Sequence, residues 1–201
     1  MKTSTLAVII VFAALTVVLN PALTGLGVPA PYAPYLVYQI WEIPMVAVLL
    51  LYGPKYGVPI AVLNAFVLLA IYMGPGGLAV APFYNLAAFL SMALGLYIPY
   101  LISAHRRNKA KPAKDTTPPG TILIAVSTLL GIVFRVAVMS IVNYIVLRFD
   151  PPIGYSLPEP IILGSLPFIG LFNATLALYT IPTGFIIANI VKTRLRLNNG
   201  T

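Results

Sequence analysis

The sequence predicts an all-α integral membrane protein, a bundle of six transmembrane helices forming one domain over residues 1–201, with both termini in the cytoplasm. Three observations carry this. Of the 201 residues, 60% are hydrophobic and only 8% are charged, with a mean hydropathy of +0.97. So few charges could not cover the surface of a water-soluble domain of this size. The apolar residues gather in six blocks, of the order of the ~20 residues a bilayer span needs. The basic residues fall between those blocks and almost all on one side of their alternation.

The first block covers residues 6–19 and is followed by "NPALTGLGVPAPYAP". It also has the make-up of a cleaved signal peptide, a lysine before an apolar core, but nothing downstream requires export and the block is read as a span. The second covers 38–52 and ends at "GPKYG"; the third covers 58–73 and ends at "GPGG". The fourth covers 81–103 and runs into "AHRRNKAKPAKDTTPPG", the one clear solvated linker. The fifth covers 121–147, with "RFDPPIGYSLPEP" behind it, and the sixth covers 161–191. Gly and Pro clusters mark each break. With the N-terminus inside, Lys2, Lys55, Arg106, Arg107, Lys109, Lys111, Lys114, Lys192, Arg194 and Arg196 all lie inside, and of the loop bases only Arg148 lies outside. The positive-inside rule therefore fixes the orientation, in the plasma membrane.

Several functions are excluded at this point. The chain has no cysteine and one histidine, His105, in the basic linker; thiolate chemistry is absent and no metal site is expected. The net charge of +8 is explained by the loops between spans, and no nucleic-acid partner is expected. There is no phosphate-binding loop, so the chain carries no ATPase of its own. No Ser-His-Asp set or carboxylate pair at helical spacing is present, and an enzyme such as an intramembrane hydrolase would have only four acids to work with.

Polar groups in hydrocarbon are costly and are retained for packing or function. The candidates are Glu42, Asn64, Asn85, Arg135, Asn143 and Asn173. Counted by helical rise, Glu42 and Asn85 enter near the outer ends of their spans and Asn143 lies about one turn from its outer end, with Asn173 ~12–18 Å in. Four spans thus bring polar side chains to the outer half. They read as an outward-facing pocket, against the plainer reading of amides bonded across helix interfaces. Arg135, Met139 and Asn143 share one helix face. Arg135 reads as a structural charge, with Glu42, the one intramembrane acid, to balance it directly or through water. Aromatic residues at the same level, among them Tyr35, Tyr38, Trp41 and Tyr84, fit an interfacial belt, and one or two could stack on a flat ligand.

These phrases resemble the substrate-binding S components of energy-coupling-factor (ECF) vitamin transporters, most of all the riboflavin-specific ones. In "LVYQIWEIPMVAVLLLYGP", residues 36–54, Glu42, Ile43 and Pro44 match that group's acid-Ile-Pro core. "YNLAAFLSMALGLYIPYLI" is similar to its fourth span, Arg135, Met139, Asn143 and Tyr144 match its fifth, and Phe172 and Asn173 match a Pro-Phe-Asn phrase in its sixth. Three positions depart from the pattern: Leu176 stands where the group has a lysine, Gln39 where it has an aspartate, and Thr3 and Ala7 give only a small-x-x-x-small pair on the first span. The resemblance implies six helices, a vitamin pocket near the outer surface partly roofed by residues 20–37, and as partners a transmembrane coupling subunit and two cytoplasmic ATPases. It implies that the S component topples in the membrane to deliver its ligand.

The ligand-binding residues expected are Tyr38, Gln39, Trp41, Glu42, Asn85, Asn143 and Asn173. Amides offer both donors and acceptors to the edge of a flat, nearly uncharged ring such as riboflavin. Riboflavin is thus the expected transported ligand, with no cofactor. Biotin or pantothenate would want a free base for a carboxylate, and thiamine, a cation, would want acids and aromatic faces. A membrane scaffold with no transport role is the alternative of another class.

Overall fold

The computed structural model describes residues 3–25, 27–72, 80–109, 120–151 and 153–197. Seven helices and two strands follow in order: α1 (Thr3–Val18), α2 (Pro21–Thr24), β1 (Val28–Ala30), β2 (Ala33–Tyr38), α3 (Glu42–Tyr52), α4 (Pro54–Tyr72), α5 (Ala81–Lys109), α6 (Thr121–Val146) and α7 (Glu159–Leu197). Leaving aside the single turn of α2, the six helices match the six apolar blocks. Four of them are long and apolar enough to cross a bilayer, over Pro54–Ile71, Ala81–Ser103, Thr121–Val146 and Glu159–Arg194. The chain is a membrane protein on this ground. The other two are apolar but shorter: α1 has 16 residues and α3 has 11, giving lengths of about 24 and 16 Å.

The short α3 corrects the second block. Residues 38–41, counted there as the opening of a span, are not helical; Tyr38 ends a strand, and the helix starts only at Glu42. Nor is the segment 20–37 a plain loop. It folds into α2 and an antiparallel hairpin pairing Val28 with Tyr38 and Pro29 with Val37, with a register shift before Ala30 meets Ala33. This hairpin occupies the end of the bundle that further turns of α3 would have filled. Pro29 costs the ladder little because β1 is an edge strand, where a missing N–H is tolerated. Pro44 is equally cheap in the first turn of α3, whose N–H groups have no helical partner in any case.

Between α3 and α4 only Gly53 breaks the helix, so "GPKYG" is a corner rather than a loop. Gly53 adopts φ +82, a left-handed conformation that glycine reaches without Cβ strain. Pro54 then begins α4, where its ring suits the first helical turn. The "GPGG" stretch and residues 110–119 of the basic linker lie outside the described residues.

α3 is the central helix. Met45, Val46, Ala47, Val48 and Leu49 are all buried, and they pack with Trp41, Phe89, Met92, Leu96, Ile181 and Phe185. Buried on every side, α3 needs no polar face. α7, α4 and α1 pack closely around it, and α6 packs between α5 and α7. A Cβ on Gly95 would lie 2.4 Å from the Leu130 carbonyl oxygen, so only glycine lets α5 approach α6 this closely. A second small cluster, Ala30, Phe172 and Leu176, seats the hairpin on α7.

Candidate functional site

A cavity of about 450 Å³ opens at the end of the bundle where α5 begins, α6 ends and α7 begins. That volume lies within the range of small-molecule sites. Tyr35, Leu36 and Gln39 from the hairpin side close one wall, Tyr84, Asn85 and Ala88 from α5 another. Arg135, Met139 and Asn143 come from α6 at spacings of four residues, one face of the helix, and Ser165, Ile169, Phe172 and Asn173 come from α7. Tyr155 and Leu157, on the α6–α7 connection, complete the rim.

The floor is a buried ion pair. Arg135 and Glu42 are 2% and 0% exposed. Arg135 Nη1 and Nη2 donate to Glu42 Oε2 and Oε1, the latter at 2.9 Å, a two-pronged grip that suits the planar guanidinium. Arg135 Nε donates to Asn173 Oδ1 at 2.9 Å, and Nη1 also approaches Met92 Sδ at 3.4 Å. Asn173 Nδ2 in turn donates to the Ile169 carbonyl at 2.9 Å. Glu42 reaches Arg135 because α3 starts deep in the bundle, beneath the hairpin, rather than at its end. Glu42 sits in the first turn of α3, where the helix dipole favours an anion.

Of the expected site residues, the structure brings Gln39, Asn85, Asn143 and Asn173 into one cavity wall, together with Arg135. It sets Tyr38, Trp41 and Glu42 behind that wall. The Tyr38 hydroxyl shares hydrogen bonds with the Tyr32 hydroxyl (2.7 Å) and Thr175 Oγ1 (2.9 Å), and its ring lies 5.0 Å from that of Phe172. Trp41 is buried in the central core, its Nε1 without a partner among the described residues. Glu42 is turned to Arg135. The Tyr179 hydroxyl bonds both the N–H and the carbonyl of Gln39, so α7 holds the end of the hairpin by its backbone and leaves the Gln39 side chain to the cavity. Leu176, the position of the missing lysine, is fully buried against the hairpin and does not line the cavity.

Tyr84, a belt aromatic by sequence, is not among the expected ligand-binding residues. Its hydroxyl is buried without a hydrogen-bond partner among the described residues and it lines the cavity, so a ligand polar atom would relieve an otherwise costly group. Its adjacency to Asn85 was the available signal. Asn143 spends one donor on the Met139 carbonyl at 2.7 Å, which leaves its Oδ1 as an acceptor. At the rim, Glu159 accepts from Tyr144 (2.9 Å) and Arg148 (2.7 Å), tying the end of α6 to the start of α7. Partial burial raises the pKa of the Tyr155 phenol above its usual value.

No protein-family model matches the sequence, and no curated protein matches it significantly. The fold is matched. The chain superposes on a solved S component of a bacterial ECF transporter with a TM-score of 0.54 and 21% identity, over 99% of this chain and 98% of that one. At this identity the likeness is one of fold, and it spans nearly the whole chain.

Proposed function

We propose that this chain is the substrate-binding S component of an ECF-type uptake transporter in the plasma membrane, and that its cavity holds a vitamin, riboflavin. One observation supports this above the rest: amides from α5, α6 and α7 converge with Arg135 on a single cavity of about 450 Å³, in a bundle with the fold of a known S component. The wall offers apolar surface from Leu36, Met139, Ile169 and Phe172 and a small set of neutral donors and acceptors from Gln39, Asn85, Asn143 and Tyr84. That combination suits a flat ring with a polar edge. Stacking against Tyr35, Tyr84 or Phe172 would hold its face.

In this reading the cavity faces outward and both termini face the cytoplasm, in line with the ten inside bases against Arg148. The chain supplies binding, and energy comes from a transmembrane coupling subunit and two cytoplasmic ATPases. Titrating detergent-purified protein with riboflavin, read by quenching of flavin fluorescence, tests the ligand. Saturable quenching is expected, and Asn173→Ala weakens it more than tenfold while the protein stays folded. Absence of quenching by the wild-type chain would rule out riboflavin. Co-purification with a coupling subunit and an ATPase tests the partners.

A further inference from the structure

We infer that Glu42, which does not line the cavity, sets the charge class of the ligand by cancelling the charge of Arg135. The inference rests on the cavity being the ligand site, and concerns which ligands it admits. Among the described residues Arg135 is the only Lys, Arg, Asp or Glu in the cavity wall. A guanidinium has five N–H donors and no acceptor. Four of Arg135's are directed at protein: two at Glu42, one at Asn173 and one at Met92 Sδ. One Nη2 N–H remains. The floor therefore presents a single donor and no net charge.

The consequence is selective. A neutral carbonyl can accept the remaining N–H at no electrostatic cost. A carboxylate there would face Glu42 across the same guanidinium and leave one of two anions unpaired in a buried site, which is heavily penalised. The other wall groups, Gln39, Asn85, Asn143, Ser165 and the tyrosines, offer no compensating cation. Removing the Glu42 charge reverses this. In Glu42→Gln the guanidinium keeps its charge and its bonds to Asn173 and Met92, gains freed N–H groups, and becomes a site for a carboxylate through charge-assisted hydrogen bonds.

The test uses a pair of flat heterocycles of the same size that carry a neutral amide or a carboxylate on the same ring, nicotinamide and nicotinate, by equilibrium dialysis of the labelled compounds at up to millimolar concentration. The wild-type chain is expected to favour nicotinamide at least tenfold. Glu42→Gln is expected to shift the ratio at least tenfold toward nicotinate, and Glu42→Gln with Arg135→Gln to restore the neutral preference. Glu42→Asp, which keeps the charge, should hold the wild-type ratio. A folded Glu42→Gln with the wild-type ratio would overturn the inference, as would wild-type protein that binds nicotinate equally well or binds neither compound. If Glu42→Gln does not fold, the wild-type ratio and that of Glu42→Asp decide: a neutral preference in both upholds the inference, and its loss in either overturns it. A riboflavin titration of the wild type, run separately, tells failure of this inference from failure of the riboflavin reading.

Discussion

Arg135→Met is expected to be the most damaging single substitution in the site. It removes the partner of a carboxylate that is 0% exposed, and it strips Asn173 Oδ1 of the Nε donor it holds at 2.9 Å. Breaking a buried pair by deleting one member costs about 3–5 kcal/mol, because the other charge stays buried and alone. At about 2–4 °C per kcal/mol for a chain of this size, the melting temperature should fall by ~6–20 °C. The double variant Arg135→Met, Glu42→Leu removes both charges and fills the space with apolar atoms, which is often neutral or stabilising by about 1–4 kcal/mol. Most of the single-variant loss should therefore be recovered. Trp41 is the reporter: it is the only tryptophan, it is 1% exposed, and it directly precedes Glu42. Melting followed by its fluorescence in detergent gives the double-mutant cycle. A double variant as unstable as the two single losses added together would refute the idea that the pair acts as a unit.

Other outcomes follow from the same geometry. Tyr179→Phe removes the hydroxyl that bonds both backbone groups of Gln39; a loss of about 1–3 kcal/mol is expected, seen as faster hydrogen exchange across β2 with little change in the helices. Tyr84→Phe removes a buried hydroxyl that has no partner among the described residues, so it should leave the apo protein as stable as before or slightly more so, while weakening ligand binding severalfold in a titration. Because the chain has no cysteine, single Ile153→Cys and Lys111→Cys variants in intact cells test orientation: a membrane-impermeant maleimide should label the first and spare the second, and the reverse result would invert the topology.

The helical bundle was legible because its cause is local. Apolar runs of span length and Gly-Pro punctuation locate four long helices, closest in the fifth block, 121–147, against α6 at Thr121–Val146, while α5 and α7 run six residues past their blocks into charged sequence. The hairpin was not legible, because its segment "GVPAPYAPYLVY" carries three prolines in a dozen residues and reads as irregular chain. It pairs only because the Pro29 edge needs no donor and because Phe172, Leu176 and Tyr179 of α7 receive it, contacts more than a hundred residues away in sequence. The same hidden element blurred the second span. An apolar run from 38 to 52 looks continuous, although its first residues are strand and turn.

That single misreading accounts for most of what the site reading missed. Counting depth by helical rise from an entry near Tyr38 puts Glu42 in the outer turns of its span, and leaves open whether it meets Arg135 directly or through water. With the hairpin sunk into the end of the bundle, α3 begins at the depth of mid-α6 and the two side chains meet. The hairpin also sorts the neighbours. Successive residues of an extended chain point to opposite sides, so Tyr38 turns to Thr175 on α7 while Gln39 turns to the cavity; no composition or helical period separates two adjacent polar residues in this way. The three asparagines were legible for the opposite reason. Each is a costly group on a regular apolar helix, and regular helices convert sequence position directly into depth, so Asn85, Asn143 and Asn173 are assigned to the outer half of the bundle before any contact is known. What the sequence could not convey is that Arg135 reaches that level already neutralised, and it is this cancellation, set by where α3 starts, that decides whether the cavity offers a charge or a hydrogen bond.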